Sequence, residues 1–151
     1  MKQTTVGKVL ELYLSTTQVP SRKEQQTLKL DQDGIVGDKF HGKNLTRSVL
    51  ISSSNSYNIV HNNNIEVSAG ALGENILLDC DLSHLQEGDT IQIAEVELEI
   101  TQNCTVCKGL TKINSKLPKL LKEDRGIFSK VVKEGNIRIG DTVVILKIKN
   151  A

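Results

Sequence analysis

Cys104 and Cys107, within TQNCTVCKGL at residues 101–110, are the side chains with most chemistry to offer. A thiol is the most nucleophilic ordinary side chain near neutral pH, and a neighbouring cation or helix N-terminus raises its thiolate fraction. Lys108 adjoins Cys107, and the spacing predicts a helix over 107–116, so Cys107 has two sources of activation. Cys104, three residues earlier, suits a resolving thiol or a second metal ligand. A closed zinc site needs about four ligands, and Cys80, His41, His61 and His84 stand in no paired spacing that would complete one. The pair follows a strand, but it does not stand after a first strand and before a long helix in a βαβ pattern, and neither residue between the cysteines is proline or glycine, so a thioredoxin-like motif is not indicated. Three readings stay open: a reactive or ligand-directed thiol, two semi-buried structural cysteines, and a zinc half-site.

The second group lies in GIVGDKFHGK, residues 34–43. Gly34, Gly37 and Gly42 let backbone amides converge on an anion, and His41, Lys43 and Arg47 supply charge. The GxxxxGK[ST] spacing of a P-loop is absent, and an ordinary turn-rich loop with solvated charges would read the same way. ALGENI, residues 71–76, adds Glu74 and Asn75, which can orient a polar ligand. KEDRGIF, residues 122–128, adds Arg125, which can clamp a carboxylate or phosphate with two donors. Glu74 and Arg125 also fit a structural pair or the surface. His61 and His84 read as surface residues and Cys80 as a strand end. There is no GxSxG elbow, no HExxH zinc motif and no Ser-His-Asp order with local signatures.

Short strands must position these groups. Residues 5–14 and 26–30 read as strands, 31–43 as a loop, and 46–52 as a strand. Ser52–Ser54 can cap a short helix carrying Tyr57, Ile59 and Val60, which Asn62–Asn64 would end. An apolar run follows at Ile76–Leu78. Residues 85–101 read as a turn and two strands reversing at Ala94 and Glu95, with Val96, Leu98 and Ile100 on one face. The helical region 107–123 should break near Pro118, and two strand runs around glycine turns close the chain. Gly88-Asp89 and Gly140-Asp141 introduce similar segments, which predicts two similar turns entering barrel strands. The expected fold is mostly β with short helices, a mixed α/β barrel that is at least partly closed.

Composition narrows the function. The chain has 151 residues, within the range of a single domain, so residues 1–151 read as one unit. Nineteen Lys and Arg balance eighteen Asp and Glu, and aromatics are 3%, so neither net charge nor stacking rings support a nucleic-acid partner. No apolar run is long enough for a membrane span, MKQTTVGKVLELYL lacks a secretory pattern, and three cysteines suit a reducing compartment. A cytoplasmic protein is expected.

In sequence, GIVGDKFHGK, TRSVLIS, GENILL, LQEGDTIQI, LEITQNCTVCKGL and RGIFSKVVKEGNIRIGD resemble the MOSC domain, named after the C-terminal domain of molybdenum cofactor sulfurase. The match runs over about residues 5–147, with the motifs in family order. The resemblance implies a MOSC-like β-barrel and a role in molybdenum cofactor sulfuration or binding, or in sulfur transfer. Stand-alone bacterial members imply molybdenum-dependent reduction of N-hydroxylated compounds. TQNCTVCKGL resembles the TQxRxPCxxL pattern of some of them, which places the sulfur-carrying or molybdenum-ligating role on Cys107. Cys104 then stands where those relatives have a basic residue, although others have an earlier cysteine, so Cys104 stays a second candidate. The cofactor-binding candidates are Gly37, Asp38, His41, Lys43, Arg47, Glu74, Asn75 and Arg125. Ala94 replaces a frequent glycine. With no room for a pyridoxal-dependent or iron-sulfur domain, the resemblance implies a separate electron or sulfur donor protein and a small-molecule substrate. Three functions follow: a pyranopterin molybdoenzyme, a carrier of a Cys107 persulfide, and a non-enzymatic ligand-binding or adaptor domain.

Overall fold

The structure, a computed structural model, describes residues 4–17, 22–68, 70–104, 108–122 and 124–149, without the side chains of 108 and 109. The chain starts with the long strand β1 (Thr4–Ser15), followed by β2 (Arg22–Gln25), β3 (Thr27–Asp31) and the two-residue β4 (Gly34–Ile35). A single 3-10 turn at Leu45–Arg47 leads into β5 (Val49–Ser53), helix α1 (Ser54–Asn62) and β6 (Ile76–Leu78). The hairpin β7 (Thr90–Ile93) and β8 (Val96–Asn103) precedes the short helices α2 (Lys108–Ile113) and α3 (Leu117–Leu120). Strands β9 (Ile127–Lys133), β10 (Gly135–Arg138) and β11 (Thr142–Lys147) complete it.

Seven strands form a ring in the order β11, β7, β8, β9, β5, β6, β1, and β1 pairs with β11 to close it. Closure leaves no open edge in the ring. β2 continues β1 on the outside, and β10, β3 and β4 form a separate three-stranded sheet. Among the described strands only β5 and β6 pair in parallel, and α1 supplies part of the crossover that a parallel pair needs. Alternation fills the interior: Ile91, Ile93, Val96, Leu98, Ile100 and Val143 are almost fully buried, while Glu97 and Glu99 face outward. With so few rings, the core is aliphatic.

Several expectations need correction. Residues 46–48 precede the strand rather than begin it, because Asn44 caps the 3-10 turn through its side-chain oxygen. RKEQ forms a strand unforeseen in the sequence, since nothing in its own polarity indicates pairing with the end of β1. Pro118 does more than interrupt a helix. It sits in the first turn of α3, where a missing N–H costs nothing. The closing runs are three strands, not two. The two Gly-Asp turns match in detail: Asp89 Oδ2 accepts from Gln86 N–H at 2.8 Å and Asp141 Oδ2 from Arg138 N–H at 2.7 Å. They launch β7 and β11, which pair with each other.

Candidate functional site

The end of β1, the start of β2, the loop before β5 and the start of β9 converge on a cleft of about 660 Å³. Pairing of Ser15 with Arg22 brings Arg22 to its wall, where the guanidinium donates to Ser15 Oγ and to the Glu74 carbonyl. Across the cleft, Arg125 donates through Nε and Nη2 to the Leu72 carbonyl at 3.2 and 3.0 Å. One short turn, residues 72–75, therefore anchors both arginines by its carbonyls. Gly73 makes this approach feasible: its φ is +92°, and a Cβ there would lie 3.4 Å from Arg125 Nη2.

Cys104 follows β8 and is 4% exposed, with its amide donating to the Gly126 carbonyl at 2.9 Å. A register shift in the β8–β9 pairing between Ile100 and Gln102 lies just before it. Such an irregularity re-aims the residues beyond it. Cys104 packs with Leu50 and Phe128 into a small apolar patch on the cleft wall. Arg47 lies over the Phe128 ring, 4.8 Å from its centre, so a cation is held there without a carboxylate.

The charge is one-sided. Arg22, Lys39, Lys43, Arg47 and Arg125 line the cleft, and no Asp or Glu does among the described residues. None of the five is ion-paired among them. Three buried side-chain atoms lack hydrogen-bond partners among the described residues: Arg22 Nε, Arg125 Nη1 and Glu74 Oε1. All three cluster around the same turn. Unpaired buried cations are costly, and a bound anion would offset that cost with charge-assisted hydrogen bonds.

The residues singled out in the sequence divide into three groups. Lys43, Arg47, Asn75, Cys104 and Arg125 line the cleft. Asp38 and Glu74 lie behind it, and Gly37 turns the loop at φ +89°. The Asp38 carboxylate is occupied, accepting from Ser15 N–H, Phe40 N–H and Asn75 Nδ2. Asn75 also accepts from Leu50 N–H through Oδ1, so these two side chains tie β1, β5 and the loop together. His41 stands apart, its Nε2 2.7 Å from Asp31 Oδ1, and this contact holds the Asp31 carboxyl below its usual range. Cys107 lies outside the described residues.

Arg22, Lys39, Phe40 and Phe128 line the cleft but escaped the sequence reading. For Phe128, closeness to Arg125 was a usable signal. For Arg22 there was none, since only the β1–β2 register brings it there. Burial lowers the Arg22 guanidinium from its ordinary value, against the pull of Glu74 and Asp38. Glu74, fully buried, is pushed up from the usual carboxylate range by desolvation, against the hydrogen bond from Tyr57 and the two arginines.

A separate group, Asp31, Asp33 and His41, places three metal-capable atoms within 4.8 Å of one another. These hard oxygen and nitrogen donors suit cations other than a soft-ligand metal. They are not among the residues lining the cleft. No helix among the described residues is long and apolar enough to cross a membrane.

Comparison with solved structures shows the same fold in proteins of low identity. The YUAD protein from Bacillus subtilis is 22% identical with a TM-score of 0.81, the match covering 97% of this chain and 99% of that one. YiiM from Escherichia coli is 16% identical with a TM-score of 0.73, over 94% of this chain and 70% of the other. YiiM from Geobacillus stearothermophilus is also 16% identical, with a TM-score of 0.65 over 97% and 76%. No curated protein matches. The MOSC domain family model matches residues 37–144, which include most of the 34–43 loop, the 72–75 turn, Cys104, Cys107 and the start of β11, and the chain belongs to that family.

Proposed function

We propose that the cleft binds the molybdenum cofactor, a pyranopterin carrying a phosphate, with a thiol of the Cys104–Cys107 segment facing the metal. The observation that carries this is a cleft lined, among the described residues, by five cations and no carboxylate, with two buried arginine nitrogens unpartnered among them and the buried Cys104 sulfur on its wall. These donors fit such a group: guanidinium and ammonium for phosphate, a soft sulfur for molybdenum. Arg22, Lys43, Arg47 and Arg125 would hold the anionic end, and Asn75 would keep the loop and β5 in place around it. When bound, the group supplies two-electron chemistry of the kind that reduces N-hydroxylated compounds, with electrons from a separate donor protein. Phe128 and Leu50 pack against Cys104 and give the cleft an apolar wall beside its cations.

In this proposal Cys107 is the metal ligand because its match to the family pattern assigns it that role, and the Cys104 sulfur on the cleft wall supports it, since that end of the segment borders the cleft. Molybdenum and pterin content, measured on protein made in a host that synthesises the cofactor, tests it. The expected result is one molybdenum per chain, lost in Cys107→Ala and retained in Cys104→Ala. The competing sulfur-carrier reading predicts metal-free protein whose mass gains one sulfur from a cysteine desulfurase, abolished by Cys107→Ala. Absence of both, with the two alanine variants behaving as wild type, would leave a ligand-binding or adaptor domain and overturn the chemical reading.

A further inference from the structure

Glu74 is the least compensated buried acid in the site. It is 0% exposed, yet Oε1 has no hydrogen-bond partner among the described residues. Its Oε2 accepts from Tyr57 Oη at 2.6 Å. That hydroxyl in turn accepts from Gly70 N–H at 2.9 Å and Leu72 N–H at 3.4 Å, so its one proton is committed to Glu74. The charged and titratable groups acting on Glu74 are Tyr57 from α1, Arg22 from β2 and Arg125 from the segment before β9. Tyr13 from β1 feels the same carboxyl, and Asp38 acts on Arg22. The Tyr57 hydroxyl and Glu74's own backbone N–H favour the carboxylate by hydrogen bonding, and among the described residues the opposing charges acting on it are the two arginines, both of which also line the cleft.

The two arginines are thus shared between a buried acid on one side and the cleft on the other. A ligand anion held by them adds negative charge near Glu74, and protonation of Glu74 relieves it. We propose that a doubly charged anion enters the cleft together with one proton, taken from solvent and held on Glu74, making Glu74 a determinant of the ligand charge that the cleft accepts. The inference rests on the anion-binding reading above. Burial already raises Glu74 above its ordinary value of 4.5, so the pH window of uptake lies above that value. Within the window, between the acid's value in the empty and the filled cleft, affinity weakens with rising pH by up to about tenfold per unit.

Inorganic sulfate, doubly charged throughout this range, is the probe. Titration calorimetry in two buffers of different ionisation enthalpy should show uptake of up to one proton per sulfate by the wild-type protein. In Glu74→Gln the uptake should vanish and sulfate affinity become nearly independent of pH, whereas uptake by a histidine would persist. The wild-type infrared difference spectrum on adding sulfate should gain a protonated-carboxyl band, which decides the matter even if the variant does not fold. Sulfate binding with neither proton uptake nor that band overturns this inference and leaves the cleft reading standing. Failure of sulfate to bind, or equal binding by Arg22→Met/Arg125→Met, overturns the cleft reading as well.

Discussion

Arg22 and Arg125 each spend two nitrogens on holding the wall of the cleft and keep one buried nitrogen without an acceptor among the described residues. Hydrogen bonds to charged groups are worth about 1.5–3 kcal/mol, so Arg22→Met or Arg125→Met should weaken sulfate binding by about ten- to hundredfold. Calorimetry reads the loss directly. The tyrosines give a second residue-scale test, because Tyr13 and Tyr57 are the only two in the chain. Burial, then the negative charge of Glu74, pushes the Tyr13 phenol up to about 12, and burial raises Tyr57 as well. A folded-state value raised above the unfolded one contributes stability that is complete below about pH 10. It is lost as pH climbs through the folded value, so unfolding should set in between the ordinary phenol value and about 12. Ultraviolet titration should show both phenolates appearing together with the loss of far-ultraviolet dichroism. Phenolate absorbance from one tyrosine well before unfolding would count against the buried placement.

At the scale of elements, Gly126 joins the site to the barrel. Its φ is +151°, and a Cβ there would meet the Ile51 carbonyl at 2.5 Å and Ser52 Oγ at 2.6 Å. The same residue accepts the Cys104 amide, and Ser52 Oγ donates to the carbonyl of Arg125. Gly126→Ala should therefore cost roughly 2–4 kcal/mol in urea unfolding, from overpacking and backbone strain together. It should also weaken sulfate binding, because Arg125 moves with its neighbour. The twin turns give a contrast that their matching sequences conceal. Asp89 is buried and also accepts from Lys149 N–H at 2.9 Å, while the counterpart Asp141 is half-buried and caps one turn. Asp89→Ala should cost about 1–3 kcal/mol and Asp141→Ala nearer 0.5–1.5 kcal/mol, since orphaned buried donors cost more than solvated ones.

For the whole molecule, a closed barrel gathers at one cleft five cations that form no ion pair among the described residues, and an anion there should stabilise the folded state by mass action. At a hundred times its dissociation constant, sulfate should add about 2.7 kcal/mol, visible as a rise in Tm beyond that given by chloride at equal ionic strength. Arg22→Met should remove most of the difference; an equal rise with either salt would point to general screening. Most of the strands, though not β2 or the division of the closing runs into three, were legible in the sequence, as were the helix after the serine cluster, the reversal at Ala94 and the two Gly-Asp turns, because period-two burial and turn chemistry act over a few residues. So was the family, whose motifs are local. The cationic members Lys43, Arg47 and Arg125 were visible as types without a place. What only the tertiary structure decided is the long-range pairing: β1 with β11, which closes the ring, and Ser15 with Arg22, which brings an unforeseen arginine to the cleft. It also sent His41 to Asp31 and set Cys104 beside Leu50 and Phe128. Register between strands distant in sequence depends on how the whole core fills, and no short stretch of the chain encodes that.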